Sequence, residues 1–488
     1  MAQIPENLLN SQSPVEGLKL VGRGKVRDRY VLDGYPAEMY LVATDRVSIF
    51  DFVLRALIPD KGAVLTALSF FWTKLIGEVC STDHLACGAA IEARMHPNLR
   101  ARMTKIRLLP LPEVEDIVRF HLVGTGWSSY LQTGEVCGHR LPKGLAEGCR
   151  LPYPIYTPTT KAEQGHDEHL SADGVLEKVG WRRERLAIQV ASMMADYAWR
   201  RGIILADTKF EFSRTEEGEP VLIDEKGTPD SSRFWDFRDW ERAQAKGGLP
   251  PALDKQYVRD WGRQMGVDKR NPANPEDVNW VHSLEVPAEV VQMTTRLYRY
   301  IFWRLTGLKL ESFQNRMMEI PVSLPARRIE VLIGSDSDLD QVFNGLGFLN
   351  QQPERHLVRL SIISCHRHPE ILRGFAETEL SRADVVIAAA GKAAALPGMV
   401  KSWLQHFGRG QIPVIGVALS GASSTDDQAA RLSIENLPGQ PVELDERGRA
   451  YFGADGFLAA CQAAIWSEFR PKDASTKPME IGSWNVRS

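Results

Sequence analysis

Cysteine is scarce in this chain. Six occur in 488 residues, at 80, 87, 137, 149, 365 and 461, and no two stand at C-x-x-C spacing. That favours reduced thiols in a cytoplasmic protein over a disulfide framework. No run of 18 apolar residues occurs, so no membrane span is expected. An excess of one charge is also missing. Fifty-nine basic residues face 62 acidic ones, net −3, which gives no electrostatic basis for binding nucleic acid or an anionic membrane. The stretch MAQIPENLLNSQSPVEGLKL has neither a basic n-region nor a long apolar h-region, so no targeting leader is expected there. There is no internal repeat and no low-complexity tract. The P-loop spacing G-x-x-x-x-G-K-[ST] is absent as well. GRGKVRDRY (22–30) is glycine-rich and basic but has no strand before it, so by itself it points only weakly to a phosphate.

What is present divides by texture. Residues 1–312 mix strand-like runs with helices. MYLVATDRV (39–47) and GIILADTKFEFSR (202–214) read as strands. Trp181 to Arg201 reads as an amphipathic helix, with Leu186, Val190, Met193 and Tyr197 on one face and Gly202 as its stop. Pro287 to Leu305 reads as a second, with Val290, Met293, Leu297, Ile301 and Leu305 aligned. Residues 313–328 carry two prolines and no clean period, and are read as a linker. From 329 to 472 the pattern becomes strand, loop, helix, repeated: RIEVLIGS, VRLSIIS, ADVVIAAAG and IPVIGVALS. That predicts a parallel, doubly wound α/β sheet with its site at the carboxyl ends of the strands. Residues 473–488 read as a loose tail.

The densest polar constellation is LADTKFEFSRTEEGEPVLIDEKGTPDSSRFWD (205–236). On a strand Asp207, Lys209 and Glu211 share one face, while Phe210 and Phe212 take the other. Glu216–Gly218 makes a turn, and the returning PVLIDE brings Asp224 and Glu225 near Glu211. Two readings of that face stay open: a Mg²⁺ site shared with phosphates, or a solvated hairpin with cross-strand ion pairs. Ser231, Ser232 and Arg233 form a combination suited to a phosphate. TPTTKAEQGHDEHLS (157–171) is a long polar loop of the kind used as a lid or binding loop. Its His166 and His169 have no accompanying cysteine and read as solvated loop residues.

Taken in order, GKVRD (24–28), TDRVSIFD (44–51), IPDKG (58–62), VGTGW (123–127), TPTTKAEQGHDE (157–168), ADTKFEF (206–212) and TPDSSRFW (228–235) resemble the SAICAR synthetase family. The resemblance implies an ATP-grasp-like fold. It also implies ligation of carboxyaminoimidazole ribonucleotide (CAIR) to L-aspartate, with ATP going to ADP and phosphate. It places Glu211 and Asp224 at Mg²⁺ and the nucleotide, and Lys25 and Arg27 at the ATP phosphates. Asp207 and Lys209 take catalytic positions, Lys209 near the transferring group. Arg119, Thr125, Asp230, Ser231 and Arg233 would bind CAIR, and Lys161 with its loop would close over the substrates. The chain departs from the family at Ile49, where a small residue is usual, and at Lys226 and Gly227, where an apolar pair is usual. RFHLVGT (119–125) stands where the family reads R-G-Y-L-T-G-S.

In the second half, VLIGSDSDL (331–339) is a strand feeding a loop with Ser335, Ser337 and Asp338. Anion binding and plain helix capping both fit that loop. SIISCHRHPE (361–370) puts His366 and Arg367 directly after a strand, where proton transfer or a structural role is open for the histidine. With AAAGKAAALPGMV (388–400) and LSIENLPGQPV (432–442), these motifs resemble AIR carboxylase and its N5-carboxy-AIR mutase relatives. A flavodoxin-like three-layer sandwich is implied, as is a homo-oligomer, family members being octamers. Aminoimidazole ribonucleotide (AIR) would be carboxylated with bicarbonate or carbon dioxide, using neither metal nor ATP in this half. Ser335, Asp338, Ser364 and Arg367 would hold the ribonucleotide, His366 would move a proton at the imidazole carbon, and Gly391 and Lys392 would line the carbon dioxide loop.

GKAAALPG (391–398) mixes two classes. Lys392 matches the cation of the animal carboxylases, while Ala395 stands where the mutases carry histidine. The order, synthetase before carboxylase, is that of the animal bifunctional enzyme of purine synthesis. Two other readings stay open: a synthetase with a non-catalytic C-terminal assembly or nucleotide-binding module, and a specialised paralogue that ligates an amino acid to a related ribosyl-heterocycle carboxylate.

Overall fold

A computed structural model describes residues 3–5, 8, 17–91, 97–112, 114–160 and 180–470. Lys161, the loop around it, His166, His169 and the tail 473–488 lie outside the described residues. The chain forms two compact units, Met1–Ser323 and Leu324–Ser488.

In the first unit an antiparallel sheet runs in the order Lys19–Arg23, Arg27–Val31, Glu38–Ala43, Met103–Arg107, His84–Cys87. A second sheet runs Arg150–Tyr156, Val114–His121, Ile203–Arg214, Pro220–Ile223, with Ser232–Asp236 also paired to Ile203–Arg214. The strand Ile203–Arg214 alternates as its sequence predicts. Phe210 and Phe212 are both 1% exposed in the core, and Lys209 and Glu211 are only half-buried. The core closes over these phenylalanines with Trp72 of helix Lys61–Ile76, Val190 and Met194 of helix Trp181–Trp199, and Ile301 and Phe302 of helix Ala288–Thr306.

Two expectations change. The run 39–47 is two strands, Glu38–Ala43 and Arg46–Ile49. Thr44 and Asp45 break it because their polar groups are used elsewhere. The Asp45 carboxylate accepts from Gly62 N–H at 2.9 Å and from Arg102 at 2.7 Å, and Thr44 N–H donates to Val26 at 2.9 Å. The stretch read as a linker begins inside a helix, Leu310–Met317, whose Leu310 and Phe313 are buried in the first unit's core. Two anchors over eight residues are too few to show a helical period.

The second unit is a parallel sheet in the order Leu357–Ile362, Arg328–Ile333, Val385–Ala390, Val414–Ala418, Tyr451–Phe452. This is the flavodoxin-like 2-1-3-4-5 order. Alternation sends Ile329, Val331 and Ile333 to one face, against Val342 and Leu349 of helix Leu339–Asn350 and Phe457 and Cys461 of helix Gly453–Trp466. Leu332, Val386 and Ala388 go to the other face, under helices Pro369–Thr378, Leu396–His406 and Ser424–Glu435. The sheet is thus covered on both sides, as its unbroken apolar strands require. The chain starts in the second position and crosses to both flanks. The topological switch therefore lies between the loops that follow Ile333 and Ala390.

Candidate active sites

Register builds the first site. Asp207 pairs with Arg119 on one neighbouring strand and with Arg233 on the other, so three charged side chains form a row across three strands. Arg119 Nη1 donates to Asp207 Oδ2 at 2.9 Å, and Arg233 Nη1 donates to the same oxygen. Arg119 also donates to Thr157 Oγ1 and to Thr125 Oγ1, each at 3.0 Å. Thr125 is the first residue of helix Thr125–Thr133, whose N–H groups favour an anion. Gly124 enters that helix at φ 61°, ψ −132°. A Cβ there would lie 2.7 Å from Arg233 Nη2, so only glycine lets the loop pass under the guanidinium. Two arginines, a hydroxyl and a helix N-terminus converge, with one carboxylate as shared counter-ion.

Further along the same strand, Lys209 Nζ reaches Glu115 Oε1 at 2.5 Å. Burial alone would lower the ammonium pKa, but Glu115, then Glu211 and Glu225, raise it well above the usual lysine range. Glu211 faces Ile223 in the hairpin, which puts it beside Asp224 where that strand ends. Arg27, from the strand after the glycine-rich loop, pairs with Asp224 and, at 2.9 Å, with Glu225. Burial pushes the Asp224 carboxyl up. Arg27, Lys209 and Lys226 outweigh that and hold it below its ordinary value. Lys25 sits apart, exposed and 2.5 Å from Asp51. Among the described residues no cluster of three or more His, Cys, Asp or Glu forms a closed metal cage. A pair of carboxylates from adjacent strands fits Mg²⁺, which uses one or two carboxylates and completes its shell with phosphates and water.

Asp230 is placed differently from the expectation. Its carboxylate is buried, with Tyr298 Oη donating to Oδ1 at 2.5 Å, Lys61 Nζ 2.8 Å from Oδ2 and Lys255 Nζ at 3.9 Å. Burial would raise its pKa, but Lys255, Lys61 and Tyr298 hold it far below the usual range. Both oxygens are committed to protein groups, so Asp230 anchors the TPDSSR turn from beneath. Ser231 Oγ is likewise turned inward, accepting from Thr228 N–H at 3.2 Å. Asp207 lies between two arginines as their counter-ion. Sequence reasoning missed Glu115, Thr157, Lys61, Lys255 and Tyr298. Lys61 and Thr157 lie inside the motifs IPDKG and TPTTKAEQGHDE, and strand spacing puts Glu115 and Arg119 on one face; Lys255 and Tyr298 left no signal.

The second site lies at the carboxyl ends of the parallel strands. Ser335 caps the turn Asp336–Asp338, and Asp338 Oδ2 accepts from Ser335 N–H at 3.1 Å. The capping reading therefore describes this loop, and it leaves Ser337 Oγ 3.0 Å from Ser335 Oγ on the exposed side. Arg367 joins the next loop to it, donating to Gly334 O at 3.1 Å, while its N–H meets Ser364 Oγ at 3.3 Å. His366 Nδ1 lies 3.8 Å from Cys365 Sγ. Across the switch point, Lys392 is exposed with φ 51°, and Ala395 precedes helix Leu396–His406. Ser335, Asp338, Ser364, His366 and Arg367 thus come from two adjacent loops, and Gly391 and Lys392 from the third.

The SAICAR synthetase family model matches residues 20–274, and the AIR carboxylase model matches 328–471. The phosphoribosylaminoimidazole-succinocarboxamide synthase of Halorhodospira halophila is 45% identical over 276 residues, covering 54% of this chain and 90% of that protein. The synthase of Azoarcus sp. is 40% identical over 322 residues, covering 61% and 98%. Among solved structures, the SAICAR synthase of Saccharomyces cerevisiae in complex with SAICAR matches with a TM-score of 0.51 at 34% identity, covering 61% of this chain and 98% of that one.

Proposed function

The chain belongs to the SAICAR synthetase family and carries an AIR carboxylase domain behind it, and from that premise we propose two consecutive steps of purine synthesis on one polypeptide. The C-terminal unit converts AIR to CAIR. The N-terminal unit ligates CAIR to L-aspartate with ATP, giving SAICAR. The observation that carries the reading is the single sheet face on which Arg119, Asp207 and Arg233 stand in a row and Lys209 and Glu211 follow, with Asp224 just past the end of the partner strand.

A carboxylate is a poor electrophile, so ATP must first make it an acyl phosphate, releasing ADP; the aspartate amine then attacks the acyl carbon, expelling phosphate and losing a proton. The residues divide that work. Arg119, Arg233 and Thr125, at a helix N-terminus, take the ribonucleotide phosphate, with Asp207 orienting both guanidinium groups. Lys209 and Arg27 neutralise charge on the transferring phosphoryl group. Glu211 and Asp224 would hold Mg²⁺, which when bound would neutralise charge on the nucleotide. Lys25 would contact the ATP phosphates, and Lys161, which lies outside the described residues, would close over the substrates as the family resemblance implies.

In the C-terminal unit, Ser335, Ser364 and Arg367 hold AIR through its ribose phosphate, with Asp338 rigidifying the first loop. His366 takes the proton released from the imidazole carbon as the new C–C bond to carbon dioxide forms. Lys392, exposed beside Gly391 in the third loop, would attract the co-substrate, bicarbonate or carbon dioxide. Exposed Phe343, Leu357, Ile371 and Trp466 on this unit support homo-oligomerisation through it. We read the chain as cytoplasmic, in keeping with six cysteines that form no disulfide. Among the described residues no helix is long and apolar enough to cross a membrane.

The test is SAICAR formation from CAIR, aspartate and Mg·ATP. The Glu211→Ala chain is expected to lose about 100-fold or more of that rate and to carboxylate AIR as the parent does. Loss of both activities would contradict separate sites.

A further inference from the structure

Directly behind the nucleotide-facing carboxylate lies an ion pair that the reaction does not use. Lys226 and Asp83 have side chains 3% and 1% exposed, and Lys226 Nζ is 3.0 Å from Asp83 Oδ1. Each partner also holds one backbone group of Asp224. Asp83 Oδ2 accepts from Asp224 N–H at 3.2 Å, and Lys226 Nζ donates to Asp224 O at 2.7 Å. A closed ring results: carboxylate, ammonium, and the two backbone polar groups of one residue. Asp224 is the residue in it that carries strain. Its φ is 60°, a left-handed conformation that L side chains rarely adopt and that surrounding contacts must impose.

Both ends of the ring are fixed. Asp83 donates its N–H to Leu222 O at 3.1 Å and accepts from Arg107 N–H at 2.8 Å, tying it to both sheets of the unit. Beyond Lys226, Gly227 also has positive φ, 57°, and its carbonyl accepts from Trp72 Nε1 at 3.0 Å. A Cβ on Gly227 would lie 2.7 Å from Trp72 Nε1, so the turn packs closely against that ring. The Lys226 charge also lies close enough to help hold the Asp224 carboxyl below its ordinary value.

We propose that the buried Lys226–Asp83 pair is a positioning device that sets the backbone of Asp224, and through it the carboxylate offered to Mg·ATP. This rests on the reading that Asp224 serves the nucleotide metal. Lys226 touches no substrate. It acts through Asp224, so its loss should appear in Mg·ATP binding and not in binding of the ribonucleotide, whose arginine row stands on other strands.

The experiment compares three full-length variants for KM of Mg·ATP, KM of CAIR and thermal melting. Lys226→Met is expected to raise KM for Mg·ATP about 10-fold, leaving KM for CAIR within twofold. Because it strands Asp83 as a buried charge and could fail to fold, the Asp83→Leu/Lys226→Met double variant carries the same question with no unpaired charge. The double variant should melt close to the parent yet keep the raised KM for Mg·ATP, since Asp224 has lost both backbone partners. If it regains the parental KM, the pair is only structural and the proposal is overturned. An unchanged KM in a folded Lys226→Met chain overturns it equally. Asp224→Asn separates the two layers of the argument. If that variant binds Mg·ATP as the parent does, the reading of Asp224 itself fails, whatever Lys226 does.

Discussion

His121 shows how burial writes a pH dependence into one residue. The imidazole lies nearly perpendicular to the rings of Trp235 and Trp240 with Nδ1 3.1 Å from Gly148 O, and burial, partly offset by that carbonyl, lowers its pKa from 6.5 to about 4. The unfolded chain takes up this proton near pH 6.5 and the folded chain only near 4. The contribution is therefore complete above about pH 6.5 and is lost as the pH falls toward 4. His121→Phe removes the titration and strands no acceptor, because Gly148 O also accepts from Trp240 Nε1 at 2.8 Å. Its melting temperature should fall less steeply between pH 6.5 and 4 than the parent's; parallel curves would show that the histidine does not titrate with folding. At this scale the sequence revealed residue types but not their partners. The family resemblance put Asp230 at the substrate, and its hydrogen bond to Tyr298, 68 positions away, left no local trace. Lys226 was visible only as a lysine in place of an apolar residue, because Asp83 is 143 positions away.

Among the elements, strand Ile203–Arg214 was the most legible. Its alternation alone separates a charged face from an aromatic one, and the fold uses both. What alternation cannot give is register, and register makes the Arg119–Asp207–Arg233 row. The Gly124 turn is the element-scale test of that row. A methyl group there must displace Arg233 and leave the positive-φ region, so Gly124→Ala should raise KM for CAIR by about 10- to 100-fold. KM for ATP should stay near the parental value. Equal loss for both substrates would mean that the turn supports the whole sheet and not the phosphate site. Strand MYLVATDRV failed as one element for a related reason. Thr44 and Asp45 make their bonds to Val26, Gly62 and Arg102, and none of these is local enough to be seen in a window of nine residues.

For the whole molecule, the second unit's parallel doubly wound sheet was readable because four apolar strand runs alternate with helices, although the edge strand Leu357–Ile362 is only partly buried. Only the short fifth strand, Tyr451–Phe452, escaped, since two residues carry no period. Two units with separate sites predict that an activity lost by substitution in one chain is supplied by the intact unit of a second chain. The most direct measurement is SAICAR formed from AIR, bicarbonate, aspartate and Mg·ATP by full-length chains. Glu211→Ala alone and His366→Asn alone should each form almost none, the first accumulating CAIR and the second leaving AIR unused. An equimolar mixture of the two should restore SAICAR formation. A His366→Asn chain that consumes AIR as the parent does, or a mixture that stays inactive while each variant retains its other activity, would contradict the account.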